Sequence, residues 1–349
     1  KQIQEKLYSI LLHHQQFLRK QNNIRTNISH AFEKGKSIIT NGEVHRNKRI
    51  VVNIDLQDFF DSFHFGRVCG FFEKNRDFAL PHELAIVMAQ LTCYQGKLPQ
   101  GAPTSPIITN YICQTFDMRI IRIAKKYHLD YTRYADDLSF STNDKKFIEQ
   151  WEPFYNELTH EVERAGFKVN TKKTSVQYRD SRQTVTGLVI NKKLSVDHRY
   201  YKQVRAMADS LYKTGCFDNN GVEGTVSQLE GKFAFIDQLD KYNNIKDVSQ
   251  QHSVFCLNGR EKQYQKFLFY RYFFAHEKPV IVTEGKTDIK YIKAALKNLY
   301  TEYPELIEKT PEGHFEFKVS FLKRSKRFKY FFHMSQDGAD AMKNLYNFF

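Results

Sequence analysis

Two short segments of alternating polarity, Tyr131-Thr-Arg-Tyr134 and Leu138-Ser-Phe-Ser141, flank Ala135-Asp136-Asp137. Alternate residues of a strand share a face, so the pattern predicts two antiparallel strands joined by a tight turn that carries two adjacent carboxylates. An Asp-Asp pair at a turn is ordinarily a solvated turn, because aspartate bonds its own backbone there. A second acidic strand end restricts the chain further. Arg49-Ile-Val-Val-Asn-Ile-Asp55 is a nearly continuous apolar run rich in β-branched residues, which predicts a buried strand ending at Asp55. With these strands side by side, Asp55, Asp136 and Asp137 meet at one sheet edge. Hard oxygen donors so arranged suit two Mg²⁺ ions roughly 3.5–4 Å apart, Asp55 and Asp136 bridging the pair and Asp137 balancing charge or touching one ion.

Around this centre the periodicity is helical. Ile3, Leu7, Ile10, Leu11, Phe17 and Leu18 predict an amphipathic opening helix, and residues 59–72 and 81–94 predict two more. Gln100-Gly-Ala-Pro-Thr-Ser-Pro106 reads as a loop, with Ser105 as N-cap and Pro106 as the first residue of a long helix through Ile112, Phe116, Ile120 and Ala124. Residues 198–276 are helical and basic with a loop at 218–224, and a strand at 280–283, after Pro279, opens what reads as a separate α/β unit. At 349 residues the chain is too long for one small module, and no run of about twenty apolar residues offers a membrane-crossing helix. The net charge of +14 points to a polyanionic partner. Cys69, Cys93, Cys113, Cys216 and Cys256 include no C-x-x-C pair, which predicts a reduced, cytoplasmic protein with neither a disulfide frame nor a thiolate zinc site. The start at Lys1 and the aromatic end at Phe349 read as those of a piece of a longer protein.

The ordered motifs over about residues 25–275 resemble those of a reverse transcriptase. Tyr134-Ala-Asp-Asp137 is similar to the active-site hairpin of that family, Asn53-Ile-Asp55-Leu-Gln-Asp-Phe-Phe60 to its first metal-binding motif, and Gln100–Pro106 to the loop and helix against which template and incoming nucleotide pack. Gly166-Phe-Lys-Val-Asn170-Thr-Lys172-Lys173 resembles the motif whose lysine lies near the triphosphate. The resemblance implies a Phe60 ring that crowds the 2′ carbon of the incoming sugar, Gln100 and Gly101 facing the nucleotide, and either Lys172 or Lys173 at the triphosphate. It implies Mg²⁺ as cofactor, with Mn²⁺ as a substitute, and deoxynucleoside triphosphates as substrates.

Two further elements resemble retron reverse transcriptases. Asn41-Gly-Glu-Val-His45 is similar to their N-A-x-x-H element, with glycine in place of alanine, and Val185-Thr186-Gly187 to their V-T-G element. Asn41, His45 and Thr186 are thereby expected at a bound RNA, together with Tyr200, Lys202 and Arg205 of the basic helical region. The implied partners are a structured noncoding RNA and the DNA copied from it, in a ribonucleoprotein that self-associates and needs no membrane. Val280-Ile-Val-Thr-Glu284-Gly-Lys-Thr-Asp288 resembles the first motif of Toprim domains, with Glu284 and Asp288 as its acidic residues; the D-x-D pair such chemistry needs is replaced by Asp337 and Asp340, spaced D-x-x-D, so the unit reads as incomplete. The expected fold is α+β, a right-hand polymerase with fingers and an antiparallel palm at 1–197, a helical thumb at 198–277 and a partial α/β Toprim-like unit at 278–349. The competing readings are a group II intron-like reverse transcriptase and an RNA-binding scaffold that restrains a nuclease toxin.

Overall fold

A computed structural model describes residues 2–21, 28–246, 257–275, 277–285, 287–322, 324–334 and 339–348, which divide into two units, 1–195 and 196–349. The first unit runs α1 (Gln2–Gln21), α2 (Ile38–Val44), β1 (Ile50–Leu56), α3 (Phe65–Lys74), α4 (His82–Thr92), α5 (Ser105–Lys126), β2 (Asp130–Tyr134), β3 (Asp137–Thr142), α6 (Trp151–Arg164), β4 (Val169–Tyr178), and a small hairpin of β5 (Thr184–Val185) and β6 (Leu188–Val189). Its main sheet has the order β2-β3-β1-β4, with every neighbouring pair antiparallel. Parity along the strands assigns the two faces. Ile50, Val52, Ile54 and Leu56 of β1, with Tyr131, Leu138 and Phe140, join the apolar core formed with Phe116, Ile120, Phe154 and Leu158 of α5 and α6.

The opposite face is polar and also buried. Thr132, Ser139 and Ser141 are each 1% exposed, because α2 and the β5–β6 hairpin cover them. Alternating polarity therefore marks a sheet with an apolar core on one side and a hydrogen-bonded layer on the other, rather than a core face and a wet face. Buried hydroxyls need partners: Asn41 of α2 and its C-cap His45 supply them for Thr132 and Ser141, and Asn53 of β1 for Ser139.

Three local expectations change. The 59–72 stretch is a single turn of 3₁₀ helix, Phe60–Ser62, followed by α3, since Phe63 is wholly buried and His64 serves as the N-cap of α3. The long helix begins one residue early: Thr104 is the N-cap, Ser105 is already helical, and the Ser105 hydroxyl donates to the Pro99 carbonyl at 2.7 Å, tying the loop rather than capping the helix. The strand expected over 280–283 is only two residues long.

The second unit comprises α7 (His198–Thr214), α8 (Val226–Lys246), α9 (Gly259–Phe273), β7 (Val280–Ile281), α10 (Asp288–Asn298), β8 (Ile307–Lys309), β9 (Phe315–Phe317), β10 (Ser320–Phe321), α11 (Lys326–Phe331) and α12 (Ala339–Phe348). Asp197 caps α7, which closes at Gly215 in the left-handed conformation glycine favours, and Asn258 with Glu261 forms a capping box on α9. Phe233, Tyr264 and Phe267 stack between α8 and α9. α11 seals that stack: the Phe331 ring meets Tyr264 edge-on at 5.5 Å, Gln265 Nε2 donates to the Phe331 carbonyl, and Arg327 pairs with Asp237 and Glu261. β7 and β10 pair in parallel, with α10 between them in the chain. Asp337 and the side chain of Asp340 lie outside the described residues. Among the described residues no helix is long and apolar enough to cross a membrane.

Candidate active site

Asp55 and Asp137 stand directly opposite each other in the β1–β3 ladder, and Tyr134 opposes Asp137 across the hairpin. Ala135 and Asp136 thus form a two-residue turn. Ala135 has φ 56°, a left-handed conformation that costs an L-residue about 1–2 kcal/mol, and the turn is pinned from two sides. The Leu56 amide donates to the Asp136 carbonyl at 3.0 Å, and Arg133 Nη1 donates to the Ala135 carbonyl at 3.2 Å. Arg133 is itself 1% exposed and forms a bidentate pair with Asp117 of α5, at 2.8 and 2.9 Å. The hydroxyl of Tyr131 also donates to Asp117, at 3.0 Å.

The three carboxylates repel one another. Partial burial, with Asp136 and Asp55 as neighbours, pushes Asp137 up to about 6; burial also raises Asp136, with Asp55 adding to the effect. Asp55 is turned toward cations and donors: Lys173 Nζ lies 2.9 Å from one oxygen and Asn170 Nδ2 donates to the other at 3.0 Å. A bulge in β4 makes both contacts possible, because between Asn53/Ser175 and Asp55/Asn170 β1 advances two residues while β4 advances five. Asn170 and Lys173, three apart, would otherwise point to opposite faces. The ligand atoms of the three aspartates do not converge within 4.8 Å. Excess negative charge on hard oxygens, with a lysine ammonium standing against it, is the donor chemistry that divalent cations satisfy.

Asp55, Phe60, Gln100, Asp136, Asn170 and Lys173 line one cleft of about 270 Å³. The two phenylalanines of the Phe-Phe pair divide: Phe59 is 4% exposed and stacks on Phe167 at 5.5 Å, whereas Phe60 is half-buried at the cleft with Phe32 6.4 Å away. Gly101 is exposed at φ 83° beside Gln100, a turn that glycine makes without strain. Lys173 reaches the carboxylates; Lys172 is exposed and is not among the residues lining the cleft.

Asn41 and His45 correct an expectation. Both are fully buried, so neither meets RNA directly. His45 bridges Ser141 Oγ through Nδ1 at 2.8 Å and Thr132 Oγ1 through Nε2 at 2.7 Å, while Thr132 donates to Asn41 Oδ1 at 2.6 Å. Burial, aided by the charges of His30 and Lys48, pushes His45 down to about 3, so it is neutral. The pair fastens α2 to the back of the β2–β3 hairpin. Thr186 (φ 45°) and Gly187 (φ 79°) are both left-handed at the β5–β6 turn, a conformation costly for a β-branched residue. In the second unit Lys202 and Arg205 are exposed on α7, whereas Tyr200 is half-buried against Phe235. Glu284 is exposed three residues beyond the end of β7, and Asp288 turns inward to accept from the Gly285 amide at 2.7 Å, closing the turn that precedes α10. Sequence reasoning missed Asn170 as a contact of Asp55, and it missed the Arg133–Asp117 pair. The buried-strand signal around Arg133 was present, but nothing local marks its partner sixteen residues away.

The family model described as reverse transcriptase (RNA-dependent DNA polymerase) matches residues 1–206. The chain is 32% identical over 237 residues to the retron Ec86 reverse transcriptase of Escherichia coli, covering 68% of each protein. It is 35% identical over 244 residues to the retron Mx162 reverse transcriptase of Myxococcus xanthus, covering 61% of this chain and about half, 49%, of that one. A solved telomerase structure from Candida albicans, with a fragment of telomeric RNA, overlays with a TM-score of 0.42 at 11% identity, covering 86% of this chain and 56% of that one, a likeness too low to bear on function. The chain belongs to the reverse transcriptases, RNA-directed DNA polymerases, and within that family it is similar to retron enzymes.

Proposed function

We propose that this reverse transcriptase copies a bound structured noncoding RNA into DNA by two-metal nucleotidyl transfer, giving the branched RNA–DNA hybrid of a retron. The observation that carries the reading is the cross-strand pairing of Asp55 with Asp137, with Asp136 on the joining turn, at a cleft shared with Phe60, Gln100 and Lys173. Asp55, Asp136 and Asp137 would hold the divalent cations, Mg²⁺ or in its place Mn²⁺, which when bound acidify the attacking 3′ hydroxyl and neutralise triphosphate charge. The chain's own residues do the positioning. Lys173 leaves Asp55 for the triphosphate of the incoming deoxynucleotide, exchanging one anion for another. The Phe60 ring fills the space a 2′ hydroxyl would need, and Gln100 with Gly101 offers a backbone that a base pair approaches closely. Arg133 holds the turn so that little reorganisation accompanies the reaction.

In this reading residues 1–197 are fingers and palm, and 198–277 a thumb whose Lys202 and Arg205 contact phosphates without reading sequence. Thr186 lies near the RNA at the β5–β6 turn. Residues 278–349 are a partial Toprim-like unit, a view supported by the parallel β7–β10 pair and the strand–turn–helix around Glu284, and a Toprim-type nuclease would be the effector in antiphage defence. The protein works in the cytoplasm as a ribonucleoprotein. Primer extension on an annealed RNA template tests the core: wild-type protein should extend, and the Asp136→Ala/Asp137→Ala variant should not while still binding RNA. Extension by that variant would remove the hairpin from catalysis. A 2′–5′ branch in co-purified nucleic acid tests the retron product, and its absence from RNA–DNA that is made would count against branching alone.

A further inference from the structure

Cys69 and Glu73 lie one turn apart on α3, and His82 is the first residue of α4. The connecting loop folds back tightly: the Asn75 carbonyl accepts from Phe78 and Ala79, its side chain accepts from the Asp77 amide, and the Leu80 amide donates to Phe72. His82 is thereby returned to the last turns of α3, its Nδ1 3.3 Å from Glu73 Oε2. One donor atom from each of Cys69, Glu73 and His82 lies within 4.8 Å of the other two, and among the described residues no other trio of His, Cys, Asp or Glu does so.

We propose that Cys69, Glu73 and His82 bind one Zn²⁺ ion and clip α3 to α4. Thiolate, imidazole and carboxylate form a borderline-soft set, suited to zinc and unsuited to Mg²⁺, which takes oxygen. Three protein ligands leave a fourth position for water, the pattern of open zinc sites. Donors about 2.0–2.3 Å from a shared tetrahedral ion stand roughly 3.3–3.8 Å apart, so the trio closes by about 1 Å. The side chains of His82 and Glu73, 64% and 37% exposed, are free to make that movement, while the buried Cys69 is the fixed corner. On binding, the Cys69 thiol loses its proton to solvent as the S–Zn bond forms. A bare His82–Glu73 ion pair is the competing account, and it gives Cys69 no part. The spacing, C-x₃-E-x₈-H, is invisible to a search for paired cysteines.

The test uses the tag-free full chain, in excess Mg²⁺ so that the aspartate cluster is occupied, with Zn²⁺ alone as probe against a competing chromophoric chelator. The expected result is one Zn²⁺ per chain and a thermal midpoint that rises with Zn²⁺. Glu73→Gln and His82→Ala, both at exposed positions, should each weaken binding by about 10- to 100-fold, a typical range for disturbing a metal site. Co²⁺ in place of Zn²⁺ should show a thiolate charge-transfer band in the wild type and in Glu73→Gln. Binding well below one equivalent, binding unchanged by His82→Ala, or a cobalt complex without the thiolate band would each overturn the proposal.

Discussion

Removing the charge of Asp137 should make the metal-free protein more stable. Asp137 sits at about 6 in place of its ordinary 3.8, a difference of about two units or roughly 3 kcal/mol at 1.36 kcal/mol per unit. Asp137 is only partly buried, so screening by solvent takes about half and leaves ~1.5 kcal/mol. The sign follows from proton linkage. The folded state holds the Asp137 proton more tightly than the unfolded chain, so stability from this group is lost as pH rises through about 4 to 6 and the full penalty is present above that window. Asp137→Asn keeps the shape and removes the charge. At pH 8 in EDTA the variant should melt higher by about 3–6 °C, taking about 2–4 °C per kcal/mol for a unit of this size, and the gap should close as the pH falls from 6 to 4. Calorimetric scans across that range measure both quantities. A variant less stable than wild type at pH 8, or a gap that does not narrow in acid, would refute the account of a site strained by its own charge.

Other outcomes follow from the same geometry. Phe60→Ala should raise ribonucleotide over deoxynucleotide incorporation by about 10- to 100-fold, the scale of one lost steric contact, as read by competitive single-nucleotide extension; an unchanged ratio makes Phe60 a packing residue. Lys173→Met should raise KM for deoxynucleotides by about 10-fold or more, the scale of a lost charge-assisted contact, while Lys172→Met has little effect; equal effects would end the distinction between them. His45→Gln should flatten the acid limb of stability: wild type loses up to about 1.4 kcal/mol per pH unit below 6.5 because unfolding lets His45 take a proton it refuses when buried at about 3. Parallel stability curves for wild type and His45→Gln would place the acid sensitivity elsewhere.

The carboxylate centre was legible because its parts are local. A β-branched run marks β1 and two alternating tetrapeptides mark the hairpin, whereas the register that sets Asp55 opposite Asp137 is a tertiary pairing that neither segment gives by itself. Contacts that depend on tertiary packing were not legible. Nothing in Thr132, Ser139 or Ser141 announces that α2 will cover them, so Asn41 and His45 read as surface residues of a binding motif when they are buried fasteners. The choice between Lys172 and Lys173 likewise turned on a bulge in β4, a feature that alternation alone cannot locate. Ser105 misled for another reason: its hydroxyl donates to a carbonyl of the preceding loop instead of accepting an amide at the helix start.

One helix sets a length scale inside the first unit. α5 starts directly after the loop of residues 100–104 and, twelve residues on from Ser105, carries the aspartate that grips Arg133 behind the turn. At about 1.5 Å per residue those two points are separated by roughly 18 Å of continuous helix. α5 therefore acts as a gauge block: the loop at the cleft and the hairpin tip move as the ends of one rigid spacer. A single inserted residue between them would turn one end by about 100° relative to the other. Tolerance to change in this stretch is thus governed by phase as well as by hydrophobicity: an insertion or deletion misaligns the two ends even where every apolar side chain is kept.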